Sequence, residues 1–207
     1  MTHANKIGAA GAGPCGLVLA LSSGLLALER VAVIGIMGLV CILILLNVVT
    51  RYSGTPIYWI DESAIYAVVW LSFIGASAMT RLRLDFSVGM LTERLPPTGV
   101  KVARAIATAF TVLFGLMLSY MCWLWMDPVG IAAAGFDAKT FAGESFNFFY
   151  TEHTQTLNWP TWAVSLVIPL FAVSITIHGL ANLVEDLEFV PRRVYRGFPM
   201  ANAEAAS

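Results

Sequence analysis

The sequence predicts an all-α integral membrane protein: four transmembrane helices, both termini cytoplasmic, and a short interfacial helix between spans two and three. Composition, four long apolar runs and the sidedness of the basic residues carry this prediction. Of 207 residues, 58% are hydrophobic and 12% charged, against about 25% charged in soluble domains. Mean hydropathy is +0.76. No water-surrounded core of this size could bury so much apolar surface, so the solvent of the chain is lipid. The net charge of -1 singles out no partner, and nothing points to nucleic acid.

A spanning helix needs roughly 20 mostly apolar residues. The first run, about 31–50, reads VAVIGIMGLVCILILLNVVT. The second, about 62–80, opens on the acids Asp61 and Glu62 and ends at Arg81. The third follows Lys101 and stops at Asp127-Pro128. The fourth covers about 160–184. Asn158 is its candidate N-cap, and Pro160 sits in the first turn, where a missing N–H costs nothing. Pro169 should kink it. Residues 1–28 are apolar and Gly-rich, and Glu29-Arg30 reads as a water boundary. This stretch is therefore taken as a cytoplasmic or interfacial leader, with a signal peptide and a fifth span as alternatives. Residues 29–190 form the four-span membrane domain, and 191–207 a cytoplasmic tail.

The bases set the orientation. Lys6 and Arg30 precede span one; Arg81, Arg83, Arg94, Lys101 and Arg104 lie between or beside spans two and three; Arg192, Arg193 and Arg196 follow span four. Arg51 and Lys139 alone lie on the other side. The positive-inside rule then puts both termini in the cytoplasm. Tyr52, Tyr58 and Trp59, and Trp123, Trp125, Trp159 and Trp162, sit where an interfacial aromatic belt belongs. Asp61 and Glu62 face outward at a helix N-terminus, where the dipole favours them. On the inner side, Leu84, Val88, Leu91 and Leu95 recur at helical spacing before Pro96-Pro97, the expected interfacial helix. The long outer loop, 127–158, carries four acids, one Lys and the cluster FNFFY. By the same asymmetry of basic residues it is expected on the outer side, and a loop of this length is often functional.

Several chemistries lack their residues. The cysteines Cys15, Cys41 and Cys122 form no CxxC pair, and no HExxH, P-loop or GxSxG motif occurs. Intramembrane polar groups mark ion pathways, and the spans hold few. Asn47 is near an outer end. His178 is expected to be hydrogen-bonded in the bundle or to face headgroups; a haem ligand would need a second intramembrane His, and His3 and His153 lie outside. What the spans do hold is small residues. Ser72, Ala76 and Thr80 recur at four-residue steps beside Gly75, and Gly35 and Gly38 notch span one. Such faces allow close helix contact, either inside the bundle or against another membrane protein. Trp70 lies too deep for a belt and should pack on a neighbouring helix, within or between chains.

The ordered set Arg51-Tyr52, Trp59, Asp61-Glu62, Trp70, Phe73, Gly75 and Arg81 resembles the small membrane subunit of TRAP transporters, the DctQ-like family. The resemblance covers roughly residues 29–184 and departs where the family has a His-hydrophobe-x-Val-Asp stretch; here Asp85 and Gly89 stand at the His and Asp positions. It implies a non-enzymatic small permease subunit in a bacterial inner membrane, multi-pass, without a cofactor of its own. The partners it implies are a large membrane subunit that couples uptake to sodium, a periplasmic solute-binding protein that captures small organic acids, and membrane lipid. The expected role is a scaffold, with Arg51, Trp59, Glu62, Trp70, Ser72, Gly75, Ala76, Thr80 and Arg81 as the candidate partner interface. The alternative is a membrane anchor subunit of a respiratory enzyme.

Overall fold

The computed structural model describes residues 13–84 and 96–192, and these residues form helices and loops without a named strand. In chain order the helices are α1 (Pro14–Tyr52), α2 (Tyr58–Leu82), α3 (Pro97–Met126), α4 (Pro128–Ala133), α5 (Ala138–Ser145), α6 (Thr161–Ser165) and α7 (Val167–Asp186). Four stretches are long and apolar enough to cross a membrane: α1, α2, α3 with α4, and α6 with α7. The interfacial helix expected after α2 falls on residues 85–95, outside the described residues, as does the tail beyond Arg192.

The first span departs most from expectation. Helix α1 starts at Pro14, in the position where a helix N–H has no partner anyway, and runs 39 residues without a break. At 1.5 Å per residue it is about 58 Å long, nearly twice the roughly 30 Å hydrocarbon core. Glu29 is no water boundary: it is 5% exposed, among side chains of other helices. The helix ends on Gly54, in left-handed backbone (φ 72), with Thr55 N donating to Thr50 O at 3.0 Å. That bond satisfies a carbonyl the helix would otherwise leave orphaned. Helices α2 and α7 end the same way on Arg83 (φ 58) and Glu188 (φ 60).

Burial along α1 follows a heptad rather than an amphipathic face. Leu19, Ser22, Leu26, Glu29, Val40 and Leu43 are buried, and half-buried Val33 and Ile36 fill the interval. The steps alternate three and four, the repeat of a left-handed coiled-coil seam. Between these positions Ile34, Met37, Ile42, Leu45 and Val49 stand exposed, as residues solvated by lipid tails should. Gly35 and Gly38 are on this exposed side, with nothing within 4 Å of where a Cβ would stand.

The last span breaks where Pro169 predicts. Pro169 has no N–H for Ser165 O, and the helix is interrupted at Leu166, between α6 and α7. Its start differs from expectation. Pro160 is the N-cap residue and makes no side-chain cap bond, while Asn158 sits in left-handed backbone (φ 52). The third span stops as expected: Asp127 turns left-handed (φ 39) and its carboxylate accepts from Gly130 N at 2.9 Å, capping α4. Asp137 caps α5, and the Thr140 hydroxyl and the Lys139 N–H hold its carboxyl below the usual carboxylate range.

By internal contact the described residues form two units. One comprises those up to Arg30, those of Ala76–Met117 and those from Ala172 onward; the other comprises Val31–Gly75 and Leu118–Phe171. In the first unit α3 and α7 approach with almost no side chain between them. A Cβ on Gly115 would lie 2.4 Å from Thr176 Oγ1 and 3.1 Å from Thr176 N. A Cβ on Gly179 would lie 3.0 Å from Val112 Cγ2. Gly115→Val should therefore overpack this crossing and cost about 1–3 kcal/mol, lowering the thermal midpoint in detergent. Gly38→Ala, on the open side of α1, should not lower that midpoint, since the added Cβ meets nothing and Ala favours the helix.

Candidate functional site

Polar residues in the apolar helices gather into clusters, and each unit has its own. In the first unit α1, α2 and α7 are tied by four side chains. His178 Nδ1 lies 2.8 Å from Ser22 Oγ, and His178 Nε2 lies 3.0 Å from Glu29 Oε2. Ser77 Oγ donates to Glu29 Oε1 at 2.7 Å. His178 and Ser22 are 0% exposed. Both ring nitrogens of His178 therefore have a partner, Nδ1 the Ser22 hydroxyl and Nε2 the Glu29 carboxyl group. The order Ser–His–Glu resembles a hydrolase triad. It lacks the access a nucleophile needs, because Ser22 is sealed. His178 is thus hydrogen-bonded in the bundle, one of the two placements expected of it.

A second cluster in this unit is ionic. Arg81 grips Glu185 in a fork, Nη2 to Oε1 at 2.6 Å and Nη1 to Oε2 at 3.2 Å, and also donates to Asn182 Oδ1. Asn182 Nδ2 in turn donates to Thr80 O at 2.7 Å. Asp186 accepts from Arg83 (3.0 Å), from Thr108 Oγ1 of α3 (2.7 Å) and from Arg192 (3.2 Å). Lys101 pairs with Glu188, and its ammonium holds the Glu188 carboxyl below the usual range. Arg81 was expected at a water boundary; it is 1% exposed, enclosed by its partners.

Sequence reasoning missed Glu29, Asn182 and Glu185. A signal existed in their spacing. His178, Asn182 and Glu185 fall at steps of four and three, on one face of α7.

The second unit explains the acids at the head of α2. Asp61 accepts from Arg51 Nη2 at 2.6 Å and from Asn47 Nδ2 at 2.5 Å, and Arg51 Nε donates to Asn47 Oδ1 at 3.0 Å. This clasp fixes the turn between α1 and α2. Glu62 faces the other way. Its carboxylate receives the successive backbone N–H groups of Gln155 (3.0 Å), Thr156 (2.8 Å) and Leu157 (2.8 Å), and the Thr156 hydroxyl. Three consecutive N–H groups form an anion-binding nest, and Glu62 is its anion. The outer loop is thereby pinned to α2. Trp70 donates its indole N–H to Val164 O at 2.9 Å, two residues before the break at Leu166. Close by, Phe73 meets Phe171 edge-on at 5.2 Å.

Of the nine candidate interface residues, Arg51, Glu62, Trp70, Thr80 and Arg81 thus have partners within the chain. Trp59 is 45% exposed, Gly75 is half-buried, and Ser72 and Ala76 are exposed. The small stripe turns inward at Thr80, which is 8% exposed. Each four-residue step advances about 40° round a helix, so two steps carry Thr80 off the face that Ser72 occupies. The face that does stay outward holds Ile65, Val68, Ser72, Ala76 and Met79. Ser72 Oγ is folded back onto Val68 O at 2.8 Å, which leaves that face hydrocarbon. Among the described residues no group of three His, Cys, Asp or Glu side chains is placed to hold a metal ion.

The Arg81–Glu185 pair gives a stability test. Arg81→Leu strips the buried Glu185 carboxylate of its bidentate partner and leaves it only the longer contact to Arg83 at 3.7 Å, which should cost up to about 3–5 kcal/mol. Replacing both partners by Leu removes the stranded charge and should recover most of the loss. Equilibrium unfolding of the two variants in mixed micelles checks the order.

Comparison with known proteins agrees with this architecture. The family model of the DctQ component of tripartite ATP-independent periplasmic transporters matches residues 40–189. A Haemophilus influenzae protein with the provisional name TRAP transporter small permease protein is 31% identical over 92 residues, 44% of this chain and 57% of the relative. The chain therefore aligns with just over half the length of that relative. No solved structure matches. With the family model covering well over half the sequence, the chain belongs to the DctQ component family of tripartite ATP-independent periplasmic transporters.

Proposed function

We propose that this chain is the small membrane subunit of a sodium-coupled importer of small organic acids, and that it scaffolds a large transport subunit without binding substrate. One observation carries the scaffold reading. Among the described residues, the buried ionisable groups are engaged with one another: Glu29 with His178, and Arg81 with Glu185. A substrate or ion pathway needs polar groups that can exchange partners. The family is one of tripartite transporters, and in this reading the other two parts are a large membrane subunit, where sodium coupling resides, and a periplasmic solute-binding protein. In this reading the chain sits in a bacterial inner membrane with both termini cytoplasmic. The outer loop pinned by Glu62 then lies on the periplasmic side.

The docking surface in this proposal is the outward face of α2. Ser72 and Ala76 present small side chains there, and helices in lipid associate through such close packing. Ala76→Leu should add about 1–3 kcal/mol of overpacking, a roughly tenfold to hundredfold weaker association. The large subunit should then be lost on detergent co-purification while this chain stays inserted. A complex that survives intact would move the docking surface elsewhere.

Orientation is tested separately. A cysteine placed at Lys139, with Cys15, Cys41 and Cys122 replaced, should react with an impermeant thiol reagent on intact spheroplasts. Labelling only after lysis would reverse the topology.

A further inference from the structure

The second unit contains a half-open cleft of about 460 Å³. Its walls come from α1, α2, the end of the outer loop and α6. Trp59 and Trp159 stand at one end, Trp70 lies deep along α2, and Ala67 and Ala163 leave the space that larger side chains would fill. The polar side chains of the lining are turned away onto partners. Ser63 Oγ bonds Trp59 O at 2.8 Å, Tyr66 leans to Glu62, and the Trp70 N–H bonds Val164 O. The remaining lining is hydrocarbon and aromatic, which suits an apolar occupant and offers little to an ion or an organic acid.

Dimensions choose among apolar occupants. From Trp59 to Trp70 the helix rises about 16 Å, close to one leaflet of a hydrocarbon core roughly 30 Å thick. Spread over that length, the 460 Å³ gives a mean cross-section of roughly 28 Å². A helix with side chains is about 10–12 Å across, a section of roughly 80 Å² or more. A section of this size matches a narrow chain more closely than a helix. Its end at Trp59 and Trp159 carries the aromatic residues that settle at headgroup level.

We propose that this cleft binds one acyl chain of a membrane phospholipid, which enters between Trp59 and Trp159 and ends against Trp70. The chain fills a hollow whose walls would otherwise lack contact partners, and it packs α1 and α2 against the loop that Glu62 holds. This site is on a different side of α2 from Ser72 and Ala76, and it depends only on the chain being in a membrane. It can stand or fall without the docking proposal.

Two measurements test it. In the full-length chain, with Trp59, Trp123, Trp125, Trp159 and Trp162 changed to Phe, Trp70 is the sole fluorophore. In bilayers of phosphatidylcholine brominated at mid-chain its emission should fall at least twofold relative to unbrominated lipid. Ala163→Leu in that background should remove most of the quenching while circular dichroism stays helical. For the unaltered chain, native mass spectrometry from delipidating detergent should retain one phospholipid, and Ala163→Leu alone should lose it. Equal quenching with and without Ala163→Leu would mean surrounding lipid only and would overturn the site. Failure of the unaltered chain to retain phospholipid would overturn it too, as would displacement of the lipid on co-purification with the large subunit.

Discussion

In the hydrocarbon of a bilayer a polar group has no water to turn to and must find its partner in protein. That constraint decides which face of each helix is inside. On α1 the seam carries Ser22, Glu29, Asn47 and Thr50; on α7 it carries His178, Asn182 and Glu185. Each is bonded to a side chain or carbonyl, of a different helix for all but Thr50. The apolar residues around them could face tails or protein at nearly equal free energy. The polar residues could not. Removing one partner is therefore far costlier than changing an exposed Leu, because the other partner is left without a counter-group.

The same constraint explains the use of Trp70. Pro169 withholds one N–H from the helix, and the chain is irregular between α6 and α7. Such a break within a spanning stretch needs donors from elsewhere. The Trp70 indole donates to Val164 O, the carbonyl preceding the Ser165 O that Pro169 leaves without its helical donor. Its ring stays apolar on the other side and lines the cleft. A Phe could fill that space but would not donate, and a Ser could donate but would not fill it. An indole does both.

Much of this architecture was legible in the sequence. Four spans followed from composition and run length, and the stops at Asp127 and near Pro169 followed from turn chemistry. The helix-packing seam was not legible by hydrophobic periodicity, because core and solvent are both apolar and the 3.6-residue contrast disappears. Glu29 shows the cost. A charge beside Arg30 reads as an exit to water, yet here it is the acceptor for His178 and Ser77. Arg81 misled for the same reason at the other end of α2. The readable signal was polar residues repeating at three, four and seven within the runs. Thr80 was misread differently: a four-residue spacing was treated as one face, although a helix drifts about 40° per step.

The residues that carry the family resemblance turn out to be mostly clasps within the chain. Arg51 and Asp61 close the first turn, Glu62 holds the outer loop, Trp70 bridges a helix break, and Arg81 locks α2 to α7. A likeness built on such residues speaks first for a common fold. It says less about the outward face of α2, which is made of Ile65, Val68, Ser72, Ala76 and Met79. Those side chains have no distinctive chemistry, and lipid and a partner helix solvate them almost equally well. Association on such a face rests on shape: how closely two backbones can approach where Ser and Ala replace larger residues. A rigid frame is what makes a shape of this kind dependable. The ion pairs of Arg81 with Glu185 and of Arg83 with Asp186 tie the end of α2 to α7 and supply part of such a frame.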